Sequence, residues 1–146
     1  MSGIVCAIRG GPASQPTIFQ AIDLAREKSL PLYFVYIVDI EFLRHTSHVR
    51  SHTILAEMRQ MGEFILLTAQ TKAEAQGVMA QGVVREGVVS EQIVQLCREK
   101  AAGFVIMGRP AETETDVFTA ERLLQFGQKI EQETGAAMIF AEETNE

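Results

Sequence analysis

The run Leu32-Tyr33-Phe34-Val35-Tyr36-Ile37-Val38 is seven apolar residues with no polar interruption. A half-buried strand alternates apolar and polar residues. An unbroken run rich in β-branched and aromatic side chains reads instead as a strand covered on both faces, the situation found in parallel sheets. The wider apolar stretch, Leu30 to Val38, is far shorter than the roughly 20 residues that cross a bilayer as a helix. Similar short runs recur at Ile4-Val5-Cys6-Ala7-Ile8, which Gly10-Gly11-Pro12 stops, and at Gly103-Phe104-Val105-Ile106-Met107-Gly108. Two weaker ones fall at Val78 to Arg85 and Ala136 to Ala141.

Helical spacing fills the gaps between the runs. Ser14 or Thr17 reads as an N-cap before Ile18, Ala21, Ile22, Leu24 and Ala25. From about Thr46 to Gln76 a long pattern carries Leu55, Met58, Met61, Ile65 and Ala69, and Gly62 is expected to weaken or bend it. Ser90 reads as the cap of a helix with Ile93, Leu96 and Cys97 on one face. A polar, acidic loop from Arg109 to Thr115 precedes a helix over about Asp116 to Glu133, which Gly135 ends. The order β-α-β-α-β-α-β-α-β predicts right-handed crossovers and an α/β fold, a single five-stranded parallel sheet with helices on both faces. With no linker, repeat or low-complexity tract, residues 1–146 are expected to form one domain, with the tail Glu142 to Glu146 frayed.

Composition narrows the function classes. Apolar residues make up 47% and charged residues 22%, a globular mix. Net charge is −6, and no Lys/Arg run or basic stripe interleaved with aromatics appears, which argues against nucleic-acid partners. Neither a membrane span nor a leader is expected. The two cysteines, Cys6 in a buried strand and Cys97 on a helix face, suggest reduced thiols and a cytoplasmic location.

In an open parallel sheet, ligands bind beyond the carboxyl ends of the strands, where strand order reverses. Those ends are Arg9-Gly10-Gly11, Val38-Asp39, Arg85-Glu86-Gly87 and Gly108-Arg109. Three segments look like the opening of a universal stress protein: Ile4-Val5-Cys6-Ala7-Ile8, the helix ending Ala25-Arg26-Glu27, and Tyr36-Ile37-Val38-Asp39. Val84-Arg85-Glu86-Gly87 and Val105-Ile106-Met107-Gly108 are similar to that family's second half. The resemblance runs nearly the whole chain in order and spacing. It implies an adenine nucleotide alpha hydrolase-like fold, a role in stress response, and a homodimer paired through the last strand. By the same resemblance the nucleotide pocket would be formed by Ala7, Arg9, Ile37, Asp39, Val84, Met107, Gly108 and Arg109.

Members of that family that bind ATP carry an aspartate at the end of strand one. They also carry a loop after strand four that runs Gly, two residues, Gly, nine residues, then Gly-Ser or Gly-Thr. Bare backbone is needed there because a Cβ blocks the approach of N–H groups to phosphate. Here strand one ends in Arg9; from Gly108 the second glycine position holds Ala111, and the final pair falls on Glu121-Arg122. Shifting the register places Val117-Phe118 there instead. Glu112, Glu114 and Asp116 would also repel a triphosphate, each by a few tenths to about 1 kcal/mol after screening. The expected function is a non-enzymatic stress-associated or regulatory domain, with ATP or AMP disfavoured and no cofactor. The alternative is a module that binds a nucleotide or another small anion in the cleft at the strand carboxyl ends.

Arg9, Arg85 and Arg109 all fall at strand ends and either converge on such an anion or pair with nearby carboxylates such as Glu86, Glu112 and Glu114. The three histidines, His45, His48 and His52, fall within a roughly 60° arc of a continuous helix. His48 and His52, one turn apart, are weak metal candidates, and surface histidines without a ligand are expected. The chain has no Gly-x-Ser-x-Gly elbow, Cys-x-x-Cys pair or P-loop, so no catalytic residue is assigned.

Overall fold

The structure, a computed structural model, describes residues 3–10, 14–39, 48–108 and 120–141; over 48–52 and 120–123 it describes the backbone course alone. The elements are β1 (Ile4–Ala7), α1 (Gln15–Lys28), β2 (Leu32–Asp39), α2 (His48–Ala75), β3 (Ala80–Gly87), α3 (Val89–Lys100), β4 (Phe104–Gly108), α4 (Ala120–Thr134) and β5 (Ala137–Ala141). All strand pairings are parallel and the sheet order is β3-β2-β1-β4-β5. The chain moves outward from β1 to β3, then crosses β1 and moves outward the other way. With right-handed crossovers, this reversal puts α1 and α2 on one face of the sheet and α3 and α4 on the other.

Two cores result, one per face. Ile4, Cys6, Phe34 and Val38 meet Ile18, Ile22, Leu66, Ala69 and Ala73 from α1 and α2. Val5, Val35 and Val105 meet Ile93, Leu96, Cys97 and Ile130 from α3 and α4. The continuous apolar run of β2 is thus divided residue by residue between the two cores. Cys6 and Cys97 are buried, free, and belong to opposite faces.

Several local features depart from the sequence expectations. The third strand starts at Ala80 rather than Val78, because Val78 closes the preceding helix. Its N–H donates to Ala73 O (2.9 Å) and Gly77 N–H donates to Glu74 O (3.0 Å), with Gly77 at φ +78. This is a Schellman stop, whose apolar residue after the left-handed position folds back onto the helix. Ser90 is not a cap: Val88 is the N-cap of α3, and Ser90 lies within the helix. Ser14 does precede α1, but its hydroxyl makes no capping bond and turns back to Gly10. Thr17 lies inside α1 and is buried.

Gly62 neither breaks nor ends α2, which runs unbroken through it. It is buried over the ring of Tyr36, where a Cβ would stand 2.4 Å from Tyr36 Cδ2. The missing side chain lets a long helix lie close on β2. Met61, grouped with the core by its spacing, is instead 55% exposed. Residues 46, 47 and 116–119, assigned to helices by pattern, lie outside the described residues.

Candidate functional site

The reversal of strand order falls between β1 and β4, whose carboxyl ends stand side by side with Ala7 level with Met107. Beyond β1 the chain continues through buried Ile8 and exposed Arg9 to Gly10, at φ +92. The left-handed backbone favours a residue without a Cβ there, and its absence leaves room for Ile65 Cδ1 of α2, which a Cβ would meet at 2.4 Å. Ser14 locks this turn: its Oγ accepts from Gly10 N–H (2.9 Å) and donates to Gly10 O (3.0 Å). Across the crevice, a Cβ on Gly108 would lie 2.9 Å from Thr17 Oγ1. Glycines at both ends thus let the α1 and α2 layer close tightly over the switch point.

The residues proposed for a pocket are not all brought together. Ala7, Ile37 and Met107 border the α3 and α4 core. Val84 borders the opposite core, level with Tyr36, with β2 between it and β1. Asp39 ends β2 level with Gly87 and is half-buried. Arg109 lies outside the described residues.

The arginines diverge as well. Arg85 donates from Nη1 and Nη2 to both carboxylate oxygens of Glu99 on α3 (3.1 and 2.5 Å). Such a forked pair satisfies the planar guanidinium. The hydrogen bond from Arg85 also holds the exposed Glu99 carboxyl below its usual range. Glu86, the partner the sequence offered for an arginine, pairs with Arg59 of α2. Arg9 is left exposed at the end of β1, with no ion-pair partner among the described residues. Sequence reading missed Glu99, Ser14 and Thr17 in these roles; only the glycine turn at Gly10 and the strand end at Gly108 signalled that something must approach closely.

Two adjoining open hollows of about 360 and 430 Å³ share Pro31, Gly77, Val78 and Met79. They lie at the amino ends of β2 and β3, the far end of the sheet from the crevice. His48 and His52 fall one turn apart on the backbone of α2, and His45 lies outside the described residues. Among the described residues, no three His, Cys, Asp or Glu side chains gather to hold a metal. Nor is any helix among them long and apolar enough to cross a membrane.

An open parallel sheet of order 32145, with its crevice between β1 and β4, matches the adenine nucleotide alpha hydrolase-like class of α/β folds. Solved structures share this frame. A protein of the universal stress protein family from Burkholderia pseudomallei aligns with a TM-score of 0.71 at 19% identity, covering 94% of each chain. Universal stress protein UspA from Lactobacillus plantarum gives 0.77 at 11% identity over 97% of each chain. The universal stress protein of Archaeoglobus fulgidus, solved in complex with dAMP, gives 0.67 at 14% identity over 97% of this chain and 98% of that one. None of the curated proteins matches in sequence. The profile described as the universal stress protein family matches residues 1–118, and this chain belongs to that family.

Proposed function

We propose that this chain is a non-catalytic, stress-associated regulatory domain that works as a homodimer paired through β5 and does not grip ATP with a glycine loop. One observation carries the reading: the glycines that would bare the backbone beyond β4 are replaced, by Ala111 and by Glu121-Arg122. Arg9 standing where ATP-binding relatives carry an aspartate supports it. Calorimetric titration with ATP is expected to show no binding at submillimolar concentration. ATP bound at micromolar concentration, and retained through purification as detected by native mass spectrometry, overturns the proposal.

The dimer draws support from the two sheet edges. β3 carries Arg85 and Glu86, both engaged in ion pairs, and edge charges oppose strand addition. β5, Ala-Met-Ile-Phe-Ala, carries none. Ala137 N–H donates inward to Gly103 O (2.9 Å), and strand residues alternate, so Met138 and Phe140 turn their backbone groups to the open edge. Glu131 of α4 accepts the Met138 N–H at 3.0 Å, a bond that a pairing strand must replace. Light scattering at tens of micromolar is expected to report an oligomer, and Glu131→Ala to tighten it. A strictly monomeric protein refutes the pairing.

A second reading, a nucleotide or another small anion held in the strand-end crevice, is favoured by the exposed Arg9 and by the dAMP held by the Archaeoglobus relative. Titration with AMP, cyclic AMP and ATP separates the two. Binding lost on Arg9→Ala supports the second reading.

A further inference from the structure

Helix α2 is apolar on two opposite sides. Gly62, Leu66, Ala69 and Ala73 form its buried side. The other side presents Met61 (55% exposed), Phe64 (71%) and Leu67 (61%) to the outside. Thr68 and Thr71 continue this outer side, yet they do not make it polar. Thr68 Oγ1 donates back to Phe64 O (3.0 Å) and Thr71 Oγ1 to Leu67 O (2.9 Å), so both hydroxyls are spent within the helix and the methyl groups remain. Beside the stripe, Phe19 of α1 is 52% exposed, with Lys72 Nζ 5.5 Å from its ring centre. These four large side chains together expose on the order of 400–500 Å² of mainly apolar surface, near the top of what a solitary protein shows.

We infer that this face is a second self-association surface, on which α2 packs antiparallel against α2 of another copy across a two-fold axis near residue 66. Three features commit it to a second copy. Met61, Phe64, Thr68 and Thr71 are spaced by three, four and three residues, the seam of a two-helix pairing rather than a scattered patch. The pattern is also self-complementary when reversed. Phe64 falls on the partner's Thr68 and Met61 on the partner's Thr71, so each large seam side chain meets a small one, while Leu67 flanks the seam beside the axis, next to the partner's Leu67. No like charges oppose along the flanks, where Gln60 faces the partner's Glu74. Finally, two such patches, wholly covered together with Phe19 and the threonine methyls, bury at most roughly 1,000 Å², the lower edge of what a specific interface needs. The helix is about 42 Å long, so the seam occupies its middle and carboxyl half.

This surface lies over β2 and β3, whereas β5 is the opposite edge of the sheet. The inference therefore stands whether or not β5 pairs. Two tests decide it. Phe64→Glu is expected to halve the mass measured by light scattering, from four copies to two if β5 also pairs and from two to one if it does not. Leu67→Cys is expected to form a disulfide-linked dimer under mild oxidation, because the two positions lie next to each other beside the axis and the native thiols are buried. Glu63→Cys, off the seam, is expected not to. The melting temperature of Phe64→Glu serves as the folding control, since an exposed site tolerates charge. An unchanged mass for Phe64→Glu, cross-linking no greater at position 67 than at 63, or a monomeric parent protein overturns the inference. A parent that stays monomeric yet binds a different protein's helix on this face overturns it equally.

Discussion

Replacing Gly62 with alanine tests the seating of α2 on the sheet. On an exposed helix, glycine to alanine gains about 1 kcal/mol, because alanine restricts the unfolded chain and favours helix. At Gly62 the new Cβ would stand 2.4 Å from Tyr36 Cδ2 and 2.9 Å from both Cγ and Cε2. Those atoms include the root of the ring, and Tyr36 is 8% exposed, so the ring cannot swing aside as the tip of a flexible chain would. Overpacking of this kind costs about 1–3 kcal/mol, and the tight contact places Gly62→Ala toward the upper end. Subtracting the helix gain leaves a net loss of about 1–2 kcal/mol, or roughly 3–8 °C in melting temperature for a chain of this size. Urea unfolding followed by circular dichroism measures it directly. The same substitution in a Tyr36→Val background removes the clash and is expected to stabilise by up to about 1 kcal/mol. The pair would then show a coupling of about 2–3 kcal/mol. If Gly62→Ala alone raises stability by about 1 kcal/mol, α2 does not lie against Tyr36 and the packing described above is wrong.

Ala101 closes α3 in the left-handed region, at φ 51, where a Cβ is strained. Ala101→Gly is expected to raise stability by about 0.5–1 kcal/mol in the same urea assay, and a loss would contradict the assigned turn. Burial pushes the Cys97 thiol up to about 11 and raises that of Cys6 as well. Neither is expected to react with a thiol reagent at pH 8 until urea unfolds the chain, and rapid labelling of native protein would refute their burial. For Glu99 the folded value is lowered, so its stabilising pairing with Arg85 is present above the ordinary value of 4.5 and fades as pH falls through the folded one. Arg85→Gln should return the Glu99 titration, followed by NMR, toward that ordinary value. It should also narrow the stability gap to the parent at low pH.

The site was legible in outline and not in detail. Short apolar runs alternating with helical spacing placed the strand carboxyl ends, and with them the crevice, because a ligand site in this architecture follows from topology. What the crevice contains was less visible. Arg85 and Glu99 are 14 residues apart on different elements, and no local pattern links them. Val84 and Ile37 look equivalent along the chain, yet alternation in the sheet turns them to opposite cores. The helix stop at Val78 was hidden because an apolar residue serves a Schellman turn as well as it serves a strand.

The chain's own pattern determined that buried strands alternate with helices, and hence that the sheet is parallel and covered on both faces. It also set Ala111 and Glu121-Arg122, rather than glycines, in the stretch after β4 on which the proposed loss of a phosphate grip rests. Only the tertiary structure decided that β1 lies between β2 and β4, that α2 shows apolar residues on two sides, and which arginine is already held by a carboxylate. The physical reason is one of range. Periodicity and propensity act between residues a few positions apart, whereas strand order, ion pairing and exposure depend on which surfaces remain once all the elements have packed.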